Sequence, residues 1–142
     1  MLGPPLMFSS LMETSAVDVQ EAQTPYLNRI ITGVYNGSPY QLLCECEEIE
    51  LSLGRRHKGL KKPRTADIDI LIYDEVIISS DKLTIPHPAV FGRRFCLEGL
   101  NQIGADWIVP MTGKTIGESF LLIDSDVKRQ EIIFLTETTT VN

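Results

Sequence analysis

Residues 26–54 read YLNRIITGVYNGSPYQLLCECEEIELSLG, a strand, a tight turn and a helix in direct succession. Tyr26 to Tyr35 is rich in β-branched and aromatic residues and closes on Asn36-Gly37, which predicts one strand ending in a turn. A period of two places Tyr26, Asn28, Ile30 and Thr32 on one face and Leu27, Arg29 and Ile31 on the other. The helix is punctuated at both ends. Ser38 is its N-cap, Pro39 takes the first helical position, and Gln41 completes a capping box. Leu42, Cys46, Ile49 and Leu53 recur at helical spacing and form the expected buried stripe, with Gly54 at the C′ position.

Working outward, Ala66 to Tyr73 (ADIDILIY) alternates polar and apolar residues and predicts a second strand. It has Asp67 and Asp69 on one face and Ile68, Ile70 and Ile72 on the other. Glu75 to Ile78 reads as a short strand followed by a turn at Ser79 to Asp81. Leu83 to Pro88 is extended, because each proline biases its predecessor away from the helical region. Arg94 to Ile103 predicts a helix, Gly113 to Leu122 a shorter one, and Glu131 to Thr136 has strand character. Strands and helices alternate, which supports an α+β or α/β domain with one sheet and helices to cover it.

The chain has 142 residues, the size of one ordinary domain. Hydrophobic residues make up 43% and charged residues 23%, a globular composition. No apolar stretch approaches the roughly 18 residues of a membrane span. The start, MLGPPLMFSS, lacks the basic flank and sustained apolar run of a signal peptide. Cys44, Cys46 and Cys96 are an odd number without CxxC spacing, so free thiols in a reducing cytoplasm are expected. The net charge of −6 argues against a general nucleic-acid binder. Against that background, RRHKGLKKPR at 55–64 gathers six cationic residues and a histidine. Such a segment either meets a concentrated anion or is a solvated charge run.

Asp67 and Asp69 are the sharpest chemical feature. On a strand both carboxylates project from one face, roughly 6–7 Å apart at their Cα atoms. That spacing suits one or two hard cations, and magnesium commonly takes one or two carboxylates plus substrate phosphates. Two solvated acids on an exposed face are the plain alternative. Arg64 and the cationic loop lead directly into this pair, and phosphoryl-type transfer needs metal ions, positive clamps and positioning more than covalent help. Neither a GxxxxGK[ST] nor a GxGxxG motif is present.

PRTADIDILIYDE followed by LTIPHPAVFGRRFCLEGL resembles the signature of the 6-hydroxymethyl-7,8-dihydropterin pyrophosphokinases. That family has a Pro-Arg-Thr-x-Asp-x-Asp strand, a short hairpin, a Pro-His segment and an Arg-x-Phe. Upstream, ETSAVDVQEAQTPYLN resembles the family's loop and Tyr-x-Asn strand, and IELSLGR its Glu-containing helix end. The resemblance covers residues 9–122. It implies an α+β, ferredoxin-like sandwich with one mainly antiparallel sheet, and a cytoplasmic enzyme of folate biosynthesis. Pyrophosphate would pass from ATP to the hydroxymethyl group of the pterin, releasing AMP.

Matched by position, Asp67 and Asp69 would hold two magnesium ions, and Arg64 would stabilise the migrating charge. Glu50, Arg55, His57, Ile70, Lys82, Thr84, His87 and Arg93 would line the ATP site. Tyr26, Asn28 and Phe95 would form the pterin pocket, with Thr14 and Val17 contributing from the preceding loop. The implied partners are the two small substrates, with no nucleic acid and no membrane.

The sequence also departs from the family pattern. The family begins with a strand, a Gly-Ser-Asn turn and a helix, where this chain has MLGPPLMF. The basic loop carries Lys61-Lys62 in place of an aromatic-Gly. Residues 1–122 are therefore read as an N-terminally short pyrophosphokinase-like domain and 123–142 as an extension with an extra strand. That strand would fill the vacant place or pair with a second copy, as a homodimer or by strand exchange. A non-catalytic or truncated relative binding nucleotide or pterin as an interaction subunit is the second reading. A metal-dependent nucleotidyltransferase is the third, and it leaves the Pro-His and Tyr-x-Asn segments unexplained.

Overall fold

The computed structural model describes residues 2–14, 26–54 and 66–135. The first four strands are β1 (Gly3–Phe8), β2 (Leu11–Thr14), β3 (Tyr26–Asn28) and β4 (Ile31–Val34). β1 pairs antiparallel with β4 and β2 with β3, with Phe8 opposite Ile31 and Met12 opposite Asn28. Together they form one bent antiparallel ribbon. The single strand expected over 26–35 is therefore broken at Arg29-Ile30, and Ser9 is the reason. Its hydroxyl accepts the Ile30 N–H at 2.8 Å, while its own N–H donates to the Ile30 carbonyl at 2.9 Å. Both residues are buried, so this exchange satisfies backbone groups that the ladder drops where it bends.

Helix α1 (Pro39–Ser52) starts as its sequence directs, with the reciprocal Ser38–Gln41 capping box and Pro39 in the first turn. Gly54 follows at φ +105°, a conformation that needs glycine. The buried stripe differs from expectation at its lower end. Leu42, Cys46 and Glu50 are buried, whereas Ile49 is half-buried and Leu53 exposed. A strict four-residue step from Leu42 reaches Glu50, and Leu53 already lies in the cap.

Residues 66–73 correct a second expectation. They are extended but belong to no strand ladder, because no described strand runs beside them. They are held by side chains and isolated bonds instead. The Leu71 carbonyl accepts the His87 N–H at 2.8 Å, and the Tyr73 hydroxyl donates to the Gly37 carbonyl. Alternation survives where it was expected, with Asp67 and Asp69 exposed, Ile68 half-buried and Ile70 buried.

Two short hairpins follow, β5 (Ile78–Ser79) with β6 (Thr84–Ile85) and β7 (Ile108–Val109) with β8 (Lys114–Thr115). The strand expected from Glu75 starts only at Ile78, since Asp74, at φ +48°, and Glu75 form a turn. Helices α2 (Ala89–Gly92) and α3 (Arg94–Gly104) meet at Arg93. α4 (Ile116–Leu121) has a Thr115–Glu118 capping box, and α5 (Ser125–Lys128) leads to β9 (Ile132–Leu135). β9 pairs antiparallel with β2, on the side away from β3.

The result is an α+β fold with two packed cores. Leu42, Cys46, Ile70, Leu83 and Ile85 form one beneath α1. Ile30, Val90, Leu97, Leu100, Val109 and Ile116 form the other, around α3. Burial of each such aliphatic side chain contributes about 1.5–3 kcal/mol. Gly99 lets α3 approach the ribbon, since any Cβ there would fall on the Ile30 side chain. Among the described residues no helix is long and apolar enough to cross a membrane.

Candidate active site

A cleft of about 300 Å³ opens where residues 68–70, the β5–β6 hairpin and the start of α2 converge beside α1. Asp69, Ile70, Lys82, Thr84 and His87, all named from the sequence, line it together. Their convergence has a simple local cause. Ile68 and Ile70 face the α1 core, so the intervening Asp69 turns outward to the cleft. The bond between Leu71 and His87 then brings the Pro-His segment alongside.

His87 is oriented from both sides of its ring. Nδ1 accepts the Ala89 N–H at 3.0 Å, so the neutral ring carries its proton on Nε2. Nε2 stands 3.9 Å from Asp69 Oδ1, with both side chains partly exposed. Glu50, 4% exposed, accepts the Ile68 N–H at 3.4 Å and so reaches the backbone between the two aspartates.

The buried thiols border the same carboxylates. Burial pushes the Cys46 thiol up, and the charges of Glu50, Glu45 and Asp69 push further. Burial raises Cys96 to about 12, with Asp69 adding and the Arg93 guanidinium opposing. Both are inert, neutral thiols in this setting. All three cysteines are free, Cys44 being exposed, as the spacing predicts.

On the ribbon, the Asn28 amide donates to Thr14 Oγ1 at 2.8 Å, and Thr14 lies opposite Tyr26 in the β2–β3 register. Tyr26 is 53% exposed, which excludes simple core packing for that ring. Phe95 is half-buried against the α3 core that also contains Ile30 and touches Leu71. Arg93 is exposed at the α2–α3 junction. Val17, Arg55, His57 and Arg64 lie outside the described residues. Sequence reasoning missed Leu43, Ile68, Asp81, Leu83 and Pro88 in the cleft wall. Leu43 lies off the helical stripe, and Asp81 was read only as a turn residue.

The carboxylate pair fits magnesium in donor type, being hard oxygen ligands on an exposed segment. No group of three or more His, Cys, Asp or Glu side chains is disposed around a metal among the described residues. Magnesium needs no such all-protein cage, because it retains waters and takes substrate phosphates as ligands.

Two exposed carboxylates thus stand on a segment beside a cleft that holds a lysine, a hydroxyl and an oriented imidazole. Residues 4–105 match the family model of 7,8-dihydro-6-hydroxymethylpterin-pyrophosphokinase (HPPK), and the chain belongs to that family. It is 35% identical over 127 residues to the folic acid synthesis protein fol1 of Pneumocystis carinii, covering 89% of this chain and 17% of that protein. It is 38% identical over 94 residues to the 2-amino-4-hydroxy-6-hydroxymethyldihydropteridine pyrophosphokinase of Synechocystis sp., covering 66% and 48%. It is 43% identical over 93 residues to a folate synthesis bifunctional protein of Arabidopsis thaliana, covering 65% and 19%. The chain thus spans about half, or less, of the length of these relatives.

Proposed function

We propose that the chain is a folate-biosynthesis transferase that moves pyrophosphate from ATP to 6-hydroxymethyl-7,8-dihydropterin. The hydroxymethyl oxygen attacks the β-phosphorus of ATP, the bond from that phosphorus to the α,β-bridging oxygen breaks, and AMP leaves. The hydroxyl proton is released to water or a base. The observation that carries this reading is the convergence of Asp69, Lys82, Thr84 and His87 on one cleft, in a chain of this family.

In this reading Asp67 and Asp69 hold two magnesium ions, which when bound offset the charge of the ATP phosphates. Lys82, Thr84 and the Nε2–H of His87 contact phosphate or ribose oxygens, and Glu50, Ile70, Arg55, His57 and Arg93 complete the nucleotide site. Arg64 meets the migrating pyrophosphoryl charge. Tyr26 and Phe95 stack on the pterin, Asn28 pairs with its edge, and Thr14 and Val17 close that side. The full fold is a ferredoxin-like sandwich, residues 1–122 are its catalytic domain, and 123–142 are an extension. The protein acts in the cytoplasm without nucleic acid. Self-association through β9 belongs to the same proposal, because among the described residues β9 ends its sheet with Ile133 and Phe134 exposed.

The test is AMP release from ATP and magnesium with and without the pterin. Pterin-dependent AMP supports the transferase. A second reading, a non-catalytic relative that binds nucleotide or pterin, is favoured by one observation: among the described residues, 66–73 carry the aspartates without a strand ladder. Ligand binding by calorimetry without AMP release selects it.

A further inference from the structure

Gln130 lies between α5 and β9, far in sequence from every residue of the candidate site, yet it grips the corner that presents two of them. Its side-chain Nε2 donates to the Gly92 carbonyl at 3.0 Å, and its Oε1 accepts the Arg94 N–H at 3.0 Å. Its own carbonyl accepts Arg94 Nη1 at 3.0 Å. The same guanidinium is fixed from the other side by Glu98, at 3.1 Å from Nε and 2.9 Å from Nη2.

These bonds fall at the break between two helices. Arg93 has extended backbone (φ −124°, ψ 117°) and no side-chain cap to the first turn of α3. A first-turn N–H there has no intrahelical partner, and the amide of Gln130 supplies one for Arg94. Gly92 and Arg94 flank Arg93, and Phe95 follows directly. Both faces of a single primary amide are thus used to set the direction in which Arg93 and Phe95 leave the chain.

The strap continues. Two residues beyond Gln130, Ile132 pairs with Thr14 in the β9–β2 register, and Thr14 holds the Asn28 amide. One short segment therefore ties the Arg93–Phe95 corner to the Thr14–Asn28 edge.

We infer that Gln130 is a positioning residue for the pterin site, acting through the Gly92–Arg94 corner rather than touching substrate. This rests on the pterin assignment of the proposed function. The chemistry fits glutamine specifically, since one group must donate to a carbonyl and accept from an amide.

The test compares the full chain with Gln130→Ala, Gln130→Glu and the surface control Arg129→Ala. Hydrogen exchange at the Arg94 amide, read by NMR, reports the clamp. Pterin and ATP-magnesium dissociation constants report its consequence. Gln130→Ala is expected to raise Arg94 exchange and pterin Kd each by about tenfold, the loss of two ordinary hydrogen bonds, with a smaller rise in ATP Kd through Arg93 and Leu97 exchange little changed. Gln130→Glu keeps the acceptor for Arg94 and loses the donor to Gly92, so it should fall between. Unchanged Arg94 exchange in Gln130→Ala overturns the clamp. Faster exchange with unaltered pterin affinity overturns the positioning role. A wild-type chain that binds no pterin sinks the pyrophosphokinase reading and this role with it, while Arg94 exchange still decides whether Gln130 fixes the corner.

Discussion

His87 and Asp69 face one another across the mouth of the cleft, with imidazole Nε2 at 3.9 Å from the carboxylate. The Ala89 N–H holds the far side of the ring and fixes its tautomer. The two side chains come from segments joined by the backbone bond between Leu71 and His87. On the proposed function, replacing His87 with alanine removes a donor to ATP phosphate together with the acceptor of the Ala89 N–H. ATP affinity should fall about tenfold or more while the fold is retained, as measured by calorimetry and circular dichroism.

Asp67 and Asp69 are exposed, so their replacement should not disturb packing. Asp67→Ala or Asp69→Ala is expected to lower pterin-dependent AMP release at least about 100-fold with unchanged thermal stability. Full activity in Asp69→Ala would show that the magnesium assignment is wrong.

Ser9 sets the bend of the ribbon through its bond to the Ile30 amide. Ser9→Ala leaves that buried N–H without its acceptor and should cost about 1–3 kcal/mol in denaturant unfolding. The loss should appear without change at the cleft, since Ile30 belongs to the α3 core.

The Cys96 thiol is raised from 9.0 to about 12 by burial. The unfolded thiol ionises first as pH rises, so the contribution of Cys96 to stability is fully present below about 9 and is lost between about 9 and 12. Cys96→Ala should flatten that decline in unfolding curves recorded across this range. At pH 8, thiol reagents should modify the exposed Cys44 quickly and the buried Cys46 and Cys96 only as the chain opens.

Some of this was legible because it is local. The Ser38–Gln41 capping box, the α1 boundaries at Pro39 and near Gly54, and the outward Asp67 and Asp69 depend on residues a few positions apart. Side-chain chemistry and backbone period decide such features within one segment. The break at Ile30 was illegible because its cause, Ser9, lies 21 residues away. The ladder expected at 66–73 failed for a related reason: alternation predicts an extended chain, but a strand also needs a neighbour.

The sequence by itself determined the α+β class, the family, the caps of α1 and the identity of the charged and hydrogen-bonding groups, because motif and period are properties of contiguous residues. Only the tertiary structure decided that Asp69, Lys82, Thr84 and His87 share one cleft, that Glu50 is buried beneath the aspartate segment, and that β9 joins the edge of β2. Those facts depend on which distant surfaces bury one another and which free backbone groups find partners, and no single segment carries that information.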